Sequence, residues 1–325
     1  MKKILPNPRR LCDGMKGQNY WLNGCLEYVM ECLGEDTKAY DYWFFSNITG
    51  DSLMHVHSKD PRVTAWCPSR NVFDAAFARR AFDACGYECE FAEHITDANR
   101  AEFLPRIKAS IDRGVPVICR DGKEYWDALI FGYDGDALHY LIPDSDELRV
   151  LPASFESLVF TGAKKEKPAP GEVLRRAVMD IPMFLTRPAT ARYSFGKQAL
   201  VDWAESFQNG TYDNIPAEDI GNEFGKAWNA HGTHLCMLGT NACVKELLAR
   251  AKALNPGMGP LVDELLPLYD NIHNRHFAAL AYVDGGLNGG FDIRPETIKD
   301  KARMRPVSDK IMECAALCNN ILACF

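Results

Sequence analysis

The sequence predicts an α+β domain followed by an all-α domain, and three observations support this prediction. Helical patterns come first, short apolar strand patterns follow between residues 115 and 160, and a helical periodicity resumes at about residue 171. Helices followed by strands that turn back on one another are typical of a domain with an antiparallel sheet. The charged, proline-rich segment Lys164–Gly171 (KKEKPAPG) has the composition of a linker. We therefore predict domains at residues 1–163 and 172–325, joined by a linker at 164–171.

Composition and charge exclude several classes of function. The 325 residues are enough for two hydrophobic cores, and a formal net charge of −7 argues against binding to a nucleic-acid backbone. No stretch approaches the ~20 apolar residues of a membrane span. The N-terminal residues MKKILPNPRRLCDG lack the apolar core of a signal peptide. We expect a cytoplasmic protein with reduced cysteines that binds neither nucleic acid nor a membrane.

The segment Gly17–Gly34 (GQNYWLNGCLEYVMECLG) carries the candidate nucleophile. A polar loop through Gly24 leads into a helical pattern of apolar residues, and Gly34 stands where a left-handed residue ends a helix. This arrangement predicts that Cys25 lies in the first helical turn, where free amide groups and the helix dipole favour the thiolate. The side-chain amide of Gln18, upstream on the loop, can donate to a developing oxyanion. A buried cysteine that only packs is the alternative interpretation.

Local patterns place the remaining elements in order. In the first domain we predict helices at 72–85 and 96–112, ended by Gly86 and Gly114, and strands at 53–57, 87–91, 115–119, 125–133, 137–142, 148–151 and 154–160. In the second domain we predict helices at about 171–180, 193–207, 217–229, 233–254, 259–284 and 308–323, with almost no strand signal after residue 190. Cys314 and Cys318 are expected on the buried face of the last helix. No Cys-x-x-Cys pair occurs, so a zinc ribbon or finger is not indicated and no cofactor is predicted.

Histidines form three pairs with regular spacing. Alternation along residues 53–57 places His55 and His57 on one face of a strand, where an exposed or hydrogen-bonded pair is favoured over a metal site. Two further pairs are spaced three residues apart on helical patterns, His231 with His234 and His273 with His276. A metal or catalytic cluster near Cys236 is one interpretation, and a capped helix start is the favoured one. The sequence leaves metal binding at these histidines open.

Several short motifs resemble those of a known superfamily. Gln18 and Cys25, a strand that ends in Gly132-Tyr133-Asp134, and Asp144 after the next strand occur in the order seen in papain-like cysteine enzymes. About the first 160 residues resemble the N-terminal domain of the butirosin biosynthesis protein H family and the peptidase domains that cleave bacteriocin leaders. The second half is similar to the helical domain that follows in butirosin-type proteins. The resemblance implies a papain-like fold, a bacterial source and a role in secondary metabolism.

The resemblance also implies roles for individual residues. Cys25 is then the nucleophile, Gln18 and the Cys25 amide are oxyanion donors, and Asp144 orients a base, although it lies about two residues late. The base itself is missing, because the family's histidine position, six residues before Gly132, holds Trp126. Its neighbour Asp127 could act as a base only if Trp126 faces away, since strand residues alternate.

Three explanations of the missing base remain open. The base comes from another first-domain residue, with His139, His55 and His57 as candidates, or it comes from a histidine of the helical domain. Alternatively, catalysis has been lost and the cleft binds a ligand, with a lining of Tyr20, Trp21, Tyr125, Trp126, Asp127 and His139.

Two principal functions therefore compete. The first is cysteine-dependent acyl transfer, by an acyltransferase or an amide or peptide hydrolase, on a small molecule or peptide, with an acyl carrier protein as a candidate donor. The second is a catalytically inactive papain-like domain that binds a small molecule or peptide. A third, less favoured reading is a scaffold protein whose helical domain forms a homodimer.

Overall fold

Two units divide the chain, and both are discontinuous in sequence. The computed structural model describes residues 1–71, 74–120, 127–151, 155–220, 228–282 and 293–325. Unit 1 comprises Met1–Thr49 and Val72–Ala169, and unit 2 comprises Gly50–Asn71 and Pro170–Phe325. The segment 50–71, which lies inside the predicted first domain, thus belongs to unit 2.

An antiparallel sheet is the central layer of unit 1. The described residues contain nine strands: β1 Lys2–Ile4, β2 Val56–Ser58, β3 Tyr87–Ala92, β4 Val117–Arg120, β5 Ala128–Asp134, β6 Ala137–Leu141, β7 Leu148–Leu151, β8 Ser157–Lys164 and β9 Tyr193–Phe195. Six of them pair in the order β3-β8-β4-β5-β6-β7, β1 joins β5, and every pairing is antiparallel. The prediction of a mixed α+β protein with an antiparallel sheet is confirmed.

The predicted strand end at Gly132 has a steric cause. β1 pairs with β5 so that Ile4 lies opposite Gly132. A Cβ atom at Gly132 would lie 2.6 Å from the carbonyl oxygen of Lys3, which is too close for any side chain. Glycine at this position therefore lets the N-terminal strand approach the sheet.

Helices account for most of the remaining described structure. Fourteen α-helices lie in the described residues: α1 Trp21–Cys32, α2 Tyr42–Ile48, α3 Pro68–Asn71, α4 Ala75–Cys85, α5 Leu104–Asp112, α6 Pro170–Met179, α7 Ile181–Leu185, α8 Gly196–Ser206, α9 Thr233–Thr240, α10 Ala242–Leu254, α11 Gly259–Asp270, α12 Ala278–Tyr282, α13 Pro295–Lys299 and α14 Lys301–Ala323. The side chain of Asp74 accepts a hydrogen bond from the Phe77 amide and so caps α4. Gly34 and Gly86 adopt the left-handed conformation after α1 and α4, as predicted.

Unit 2 is helical but contains a two-stranded ribbon, so the prediction of an all-α second half is wrong at β9. Val56 of β2 lies opposite Phe195 of β9, and His57 lies opposite Ser194. Three residues are too short to show a strand period, and their partner lies more than a hundred residues earlier in the chain. Gly196 then takes a positive φ of 57° and starts α8.

The last helix, α14, shows the expected division into buried and exposed faces. Cys314 and Cys318 are buried together with Ile311, as the sequence predicted. Charged residues such as Glu313 occupy the exposed face. Within the described ranges, no helix combines the length and the apolar character needed to cross a lipid bilayer.

The segment predicted as a linker is tied to unit 1 by ion pairs. Lys164 ends β8, and its Nζ lies 2.7 Å from Oε1 of Glu35, while Nζ of Lys167 lies 2.8 Å from Oε2 of the same carboxylate. The hydroxyl of Tyr87 also donates to Glu35. These hydrogen bonds lower the pKa of Glu35 to about 2.

Replacement of Glu35 by glutamine tests this anchor. We expect the free energy of unfolding of Glu35→Gln to fall by about 1–2 kcal/mol at pH 7, less than the pKa shift alone implies because both lysines are partly exposed. A lowered carboxylate pKa stabilises the fold above the ordinary value of 4.5, and this contribution disappears as the pH falls toward 2. The difference between wild type and variant in urea unfolding should therefore shrink below pH 4.5. Glu172→Gln, which affects an exposed pair with Arg175, is the matched control. Equal losses in the two variants would contradict the prediction.

Candidate functional site

The position of Cys25 differs from the prediction by one helical turn. Helix α1 begins at Trp21, so Asn23 and Gly24 belong to the helix and Cys25 lies beyond its first turn. A Cβ atom at Gly24 would lie 2.6 Å from Sγ of Cys12, so glycine here allows α1 to pack closely against the N-terminal segment. The free amide groups of the helix start are therefore not adjacent to the Cys25 sulfur.

The environment of Cys25 favours the thiol rather than the thiolate. Its exposed fraction is 0%. Burial raises the pKa of Cys25 well above its usual range, and the charges of Asp127, Cys12 and Cys119 raise it further. The prediction that the helix start favours the Cys25 thiolate is therefore wrong, because loss of hydration outweighs the helix dipole.

A buried ion pair lies beside this cysteine. Nη2 and Nε of Arg120, at the end of β4, lie 2.9 Å and 3.2 Å from Oδ1 of Asp127, which directly precedes β5. Their side chains are 14% and 5% exposed. The Arg120 guanidinium offsets the cost of burying the carboxylate, and a carboxylate held in this way is a weaker base. Adjacent antiparallel strands thus place a negative charge, not a histidine, near Cys25.

The predicted oxyanion donor and aromatic lining lie around the start of α1. The side chain of Gln18 is half-buried, and its Oε1 accepts a hydrogen bond from the Asp13 amide at 2.9 Å. Tyr20 is the buried residue that precedes α1, and its amide donates to the Tyr42 hydroxyl at 3.0 Å. Trp21 is half-buried at the first position of the helix. The predicted lining residues Tyr125 and Trp126 lie outside the described residues.

His139 and Asp144 were predicted to provide a base and its orienting carboxylate. His139 lies on β6 opposite Gly132 and is buried, and burial together with the charge of Lys2 lowers its pKa. Asp144 is exposed beyond the end of β6. The Nε2 atom of His139 has no hydrogen-bond partner among the residues that the structure describes. Asp144 therefore does not orient this imidazole.

Unit 2 contains a second group of candidate residues, a row of three histidines. Nε2 of His55 lies 2.8 Å from Nδ1 of His234, and Nδ1 of His57 lies 3.2 Å from Nε2 of the same ring. His55 and His57 come from β2 and its preceding residue, whereas His234 comes from α9. The sequence placed His55 and His57 on one face and favoured a hydrogen-bonded pair. Their shared partner, His234, could not be identified from spacing.

A tryptophan lies flat against the histidine row. The Trp203 ring stacks on His234 with a centroid distance of 4.5 Å and an interplanar angle of 18°, and on His55 at 5.5 Å and 18°. Its Nε1 donates to the carbonyl oxygen of Ala230 at 2.9 Å, which fixes the indole. Trp203 is a functional candidate that the sequence analysis missed, since its pattern in α8 is that of an ordinary core residue.

All three imidazoles are held in the neutral form. Burial lowers the pKa of His55 to about 3 and that of His57 to about 4, and it lowers the pKa of His234 well below its usual range. A neutral imidazole has one N–H donor and one bare nitrogen acceptor. The row is therefore a chain of N–H···N hydrogen bonds with a direction set by the tautomers.

The geometry of the row does not suit a single metal ion. His234 uses ring nitrogens on opposite sides to reach His55 and His57, so one ion could not be bound by all three rings. In the described parts of the chain, no group of three or more histidine, cysteine, aspartate or glutamate side chains is arranged to hold a metal ion.

The other predicted histidine pairs do not act together. His231 lies in a π-helical turn, Trp228–Gly232, and its ring lies 5.2 Å from Trp203. His273 stacks on Phe277, whereas Nδ1 of His276 lies 3.5 Å from Oε2 of Glu313. Both of these histidines are in a second π-helical stretch, Asn271–Phe277, where the spacing of an α-helical face does not apply.

Comparison with protein-family models and with curated proteins gives no match to this chain. The family is therefore not established by comparison. Evidence on function comes from the side chains and their surroundings.

Replacement of His231 by leucine tests the cost of burying these imidazoles. Burial lowers the pKa of His231 to about 3, so the folded state takes up its proton only well below the ordinary value of 6.5. The unfolded state takes it up at 6.5, and stability must fall by about 1.4 kcal/mol per pH unit for each such histidine as the pH is lowered from 6.5 toward 3. We expect a shallower pH dependence for His231→Leu in urea unfolding between pH 7 and pH 5. The control, His94→Leu at an exposed position, should keep the wild-type slope. Parallel slopes for wild type and His231→Leu would contradict the prediction.

Proposed function

We propose that unit 1 is a papain-like domain that binds a small molecule or peptide and that Cys25 no longer acts as a nucleophile. The observation that carries this proposal is the complete burial of Cys25, together with its raised pKa. A cysteine nucleophile needs a thiolate, access to substrate and a base nearby.

The neighbours of Cys25 support the same conclusion. Asp127 is paired with Arg120, and its negative charge opposes the formation of a thiolate. Asp144, which the resemblance assigns to orienting a base, is exposed to solvent. The family's histidine position is Trp126, which cannot transfer the proton. A binding cleft requires none of these groups to ionise, and the aromatic residues predicted to line it suit an organic ligand.

Acyl transfer remains the second candidate because of one feature of the structure. Cys25 lies on α1 near Cys119 of β4 and Asp127 at the start of β5, which is the order of elements that the resemblance implies for a cysteine enzyme. Catalysis from this arrangement requires a rearrangement that exposes the sulfur and brings a base to it.

The rate of Cys25 labelling distinguishes the two functions. We expect iodoacetamide to modify Cys25 at least about tenfold more slowly than the half-buried Cys324 in the folded protein between pH 5 and pH 8, because a buried thiol supplies little thiolate. Mass spectrometry of the two peptides measures both rates in one sample. In urea the two rates should become similar, which serves as the control. Preferential labelling of Cys25 at pH 6 would instead support the acyl-transfer function.

Turnover of activated esters gives an independent test. Wild type and Cys25→Ala should hydrolyse p-nitrophenyl acetate and a simple N-acetylcysteamine thioester at the same low rate. A burst of product in wild type that is absent from Cys25→Ala would show an acyl-enzyme and overturn the binding proposal.

A further inference from the structure

Two small cavities in unit 2 border the histidine row. The outer cavity borders His57 and His234, together with the exposed Asp60 and with Tyr212. The interior cavity borders His55, whose Nδ1 atom is not used within the row. Each cavity has room for about one water molecule. Polar ring atoms thus meet a water-sized space beside each end of the row.

The interior cavity has an unusual polar group in its wall. Most of its lining is apolar, including Leu53, Leu200 and Ile272. The hydroxyl of Tyr269 also borders it, is fully buried, and has no hydrogen-bond partner among the described residues. Burial raises the pKa of Tyr269, so this hydroxyl keeps its proton. A buried hydroxyl beside a cavity of this size is a site for an ordered water, which His55 can also contact.

We propose that His57, His234 and His55 form a proton relay that connects the outer cavity with the interior cavity at Tyr269. The proposal concerns unit 2 alone and is independent of the state of Cys25. It assigns a proton-transfer function to the row rather than metal binding or packing alone. Water is the proton donor and acceptor at the two ends.

Each transfer balances one proton in and one proton out. In one tautomeric direction, Nδ1–H of His57 donates to Nε2 of His234, and Nδ1–H of His234 donates to Nε2 of His55. A proton from hydronium in the outer cavity then forms an N–H bond at Nε2 of His57. The two internal protons move along their hydrogen bonds, and Nδ1–H of His55 breaks to protonate the interior water. All three rings are neutral before and after, and transfer in the opposite direction restores the first set of tautomers.

Neutral end states explain how the relay can operate away from water. A lasting imidazolium is disfavoured because burial lowers the pKa of all three histidines. The facing groups change this little: the nearby carboxylate of Asp202 raises the His57 pKa only in part, and Tyr212 and Tyr269 remain neutral hydroxyls. The flat contact with Trp203 holds two of the rings close to one plane, as the angle of 14° between His55 and His234 shows. In-plane rings keep each proton aligned between its two nitrogens.

Exchange of histidine ring protons with solvent tests the relay. In full-length protein labelled with ¹⁵N-histidine, we expect the His55 ring proton to exchange faster than the backbone amide of Val56, because exchange through the relay needs no local unfolding. His57→Phe removes the outer end and should slow His55 exchange by at least about tenfold, without changing Val56 exchange. His57→Gln keeps a hydrogen-bonding side chain but cannot relay a proton, so it should slow His55 exchange to the same degree even if the phenylalanine variant does not fold.

The control and the contrary results are specific. His231→Leu alters a buried histidine outside the row and should leave His55 exchange unchanged, which separates relay loss from a general change in packing. Equal exchange rates at His55 and Val56 in wild type would mean that protons reach His55 only by local opening and would overturn the proposal. Unchanged His55 exchange in His57→Gln would overturn it as well.

Discussion

Both candidate sites depend on the free-energy cost of moving an ionised side chain from water into a protein interior. That cost is several kcal/mol for a single ion, even after the surroundings relax. It keeps Cys25 as a thiol and the three imidazoles of unit 2 as neutral bases. Where a charge is buried in this chain, a counter-charge accompanies it, as Arg120 accompanies Asp127.

The same cost has opposite consequences for the two kinds of chemistry. Nucleophilic attack by Cys25 requires a thiolate, which is the form that burial disfavours, and Asp127 opposes it further. Proton transfer along His57, His234 and His55 needs no ionised resting state, because each neutral ring donates on one side and accepts on the other. A dry environment therefore suppresses the cysteine chemistry while it leaves the histidine chemistry possible. For this reason the two units are assigned different functions.

Local patterns predicted the parts of the fold that local forces determine. The mixed α+β class, the strand series from β4 to β8, and the glycines that end α1 and α4 all follow from periodicity and backbone conformation. The start of α1 did not, because Asn23-Gly24 is typical of a loop and only the close approach of Cys12 explains a glycine within the helix. β9 was missed because its partner β2 is remote in sequence. For the histidines, spacing gave the shared face of His55 and His57, but tertiary packing alone supplied His234 and Trp203.

The composition of the unit 2 core favours a role for the histidine row beyond packing. Leucine or phenylalanine would fill the same space without any cost of desolvation. The two N–H···N bonds return only about 0.5–1.5 kcal/mol each, because the rings give up equivalent bonds to water. The row still leaves Nδ1 of His55 and Nε2 of His57 outside its internal hydrogen bonds, next to cavities that suit water. A packing role explains neither these two remaining nitrogens nor the cavities beside them. A proton path requires both.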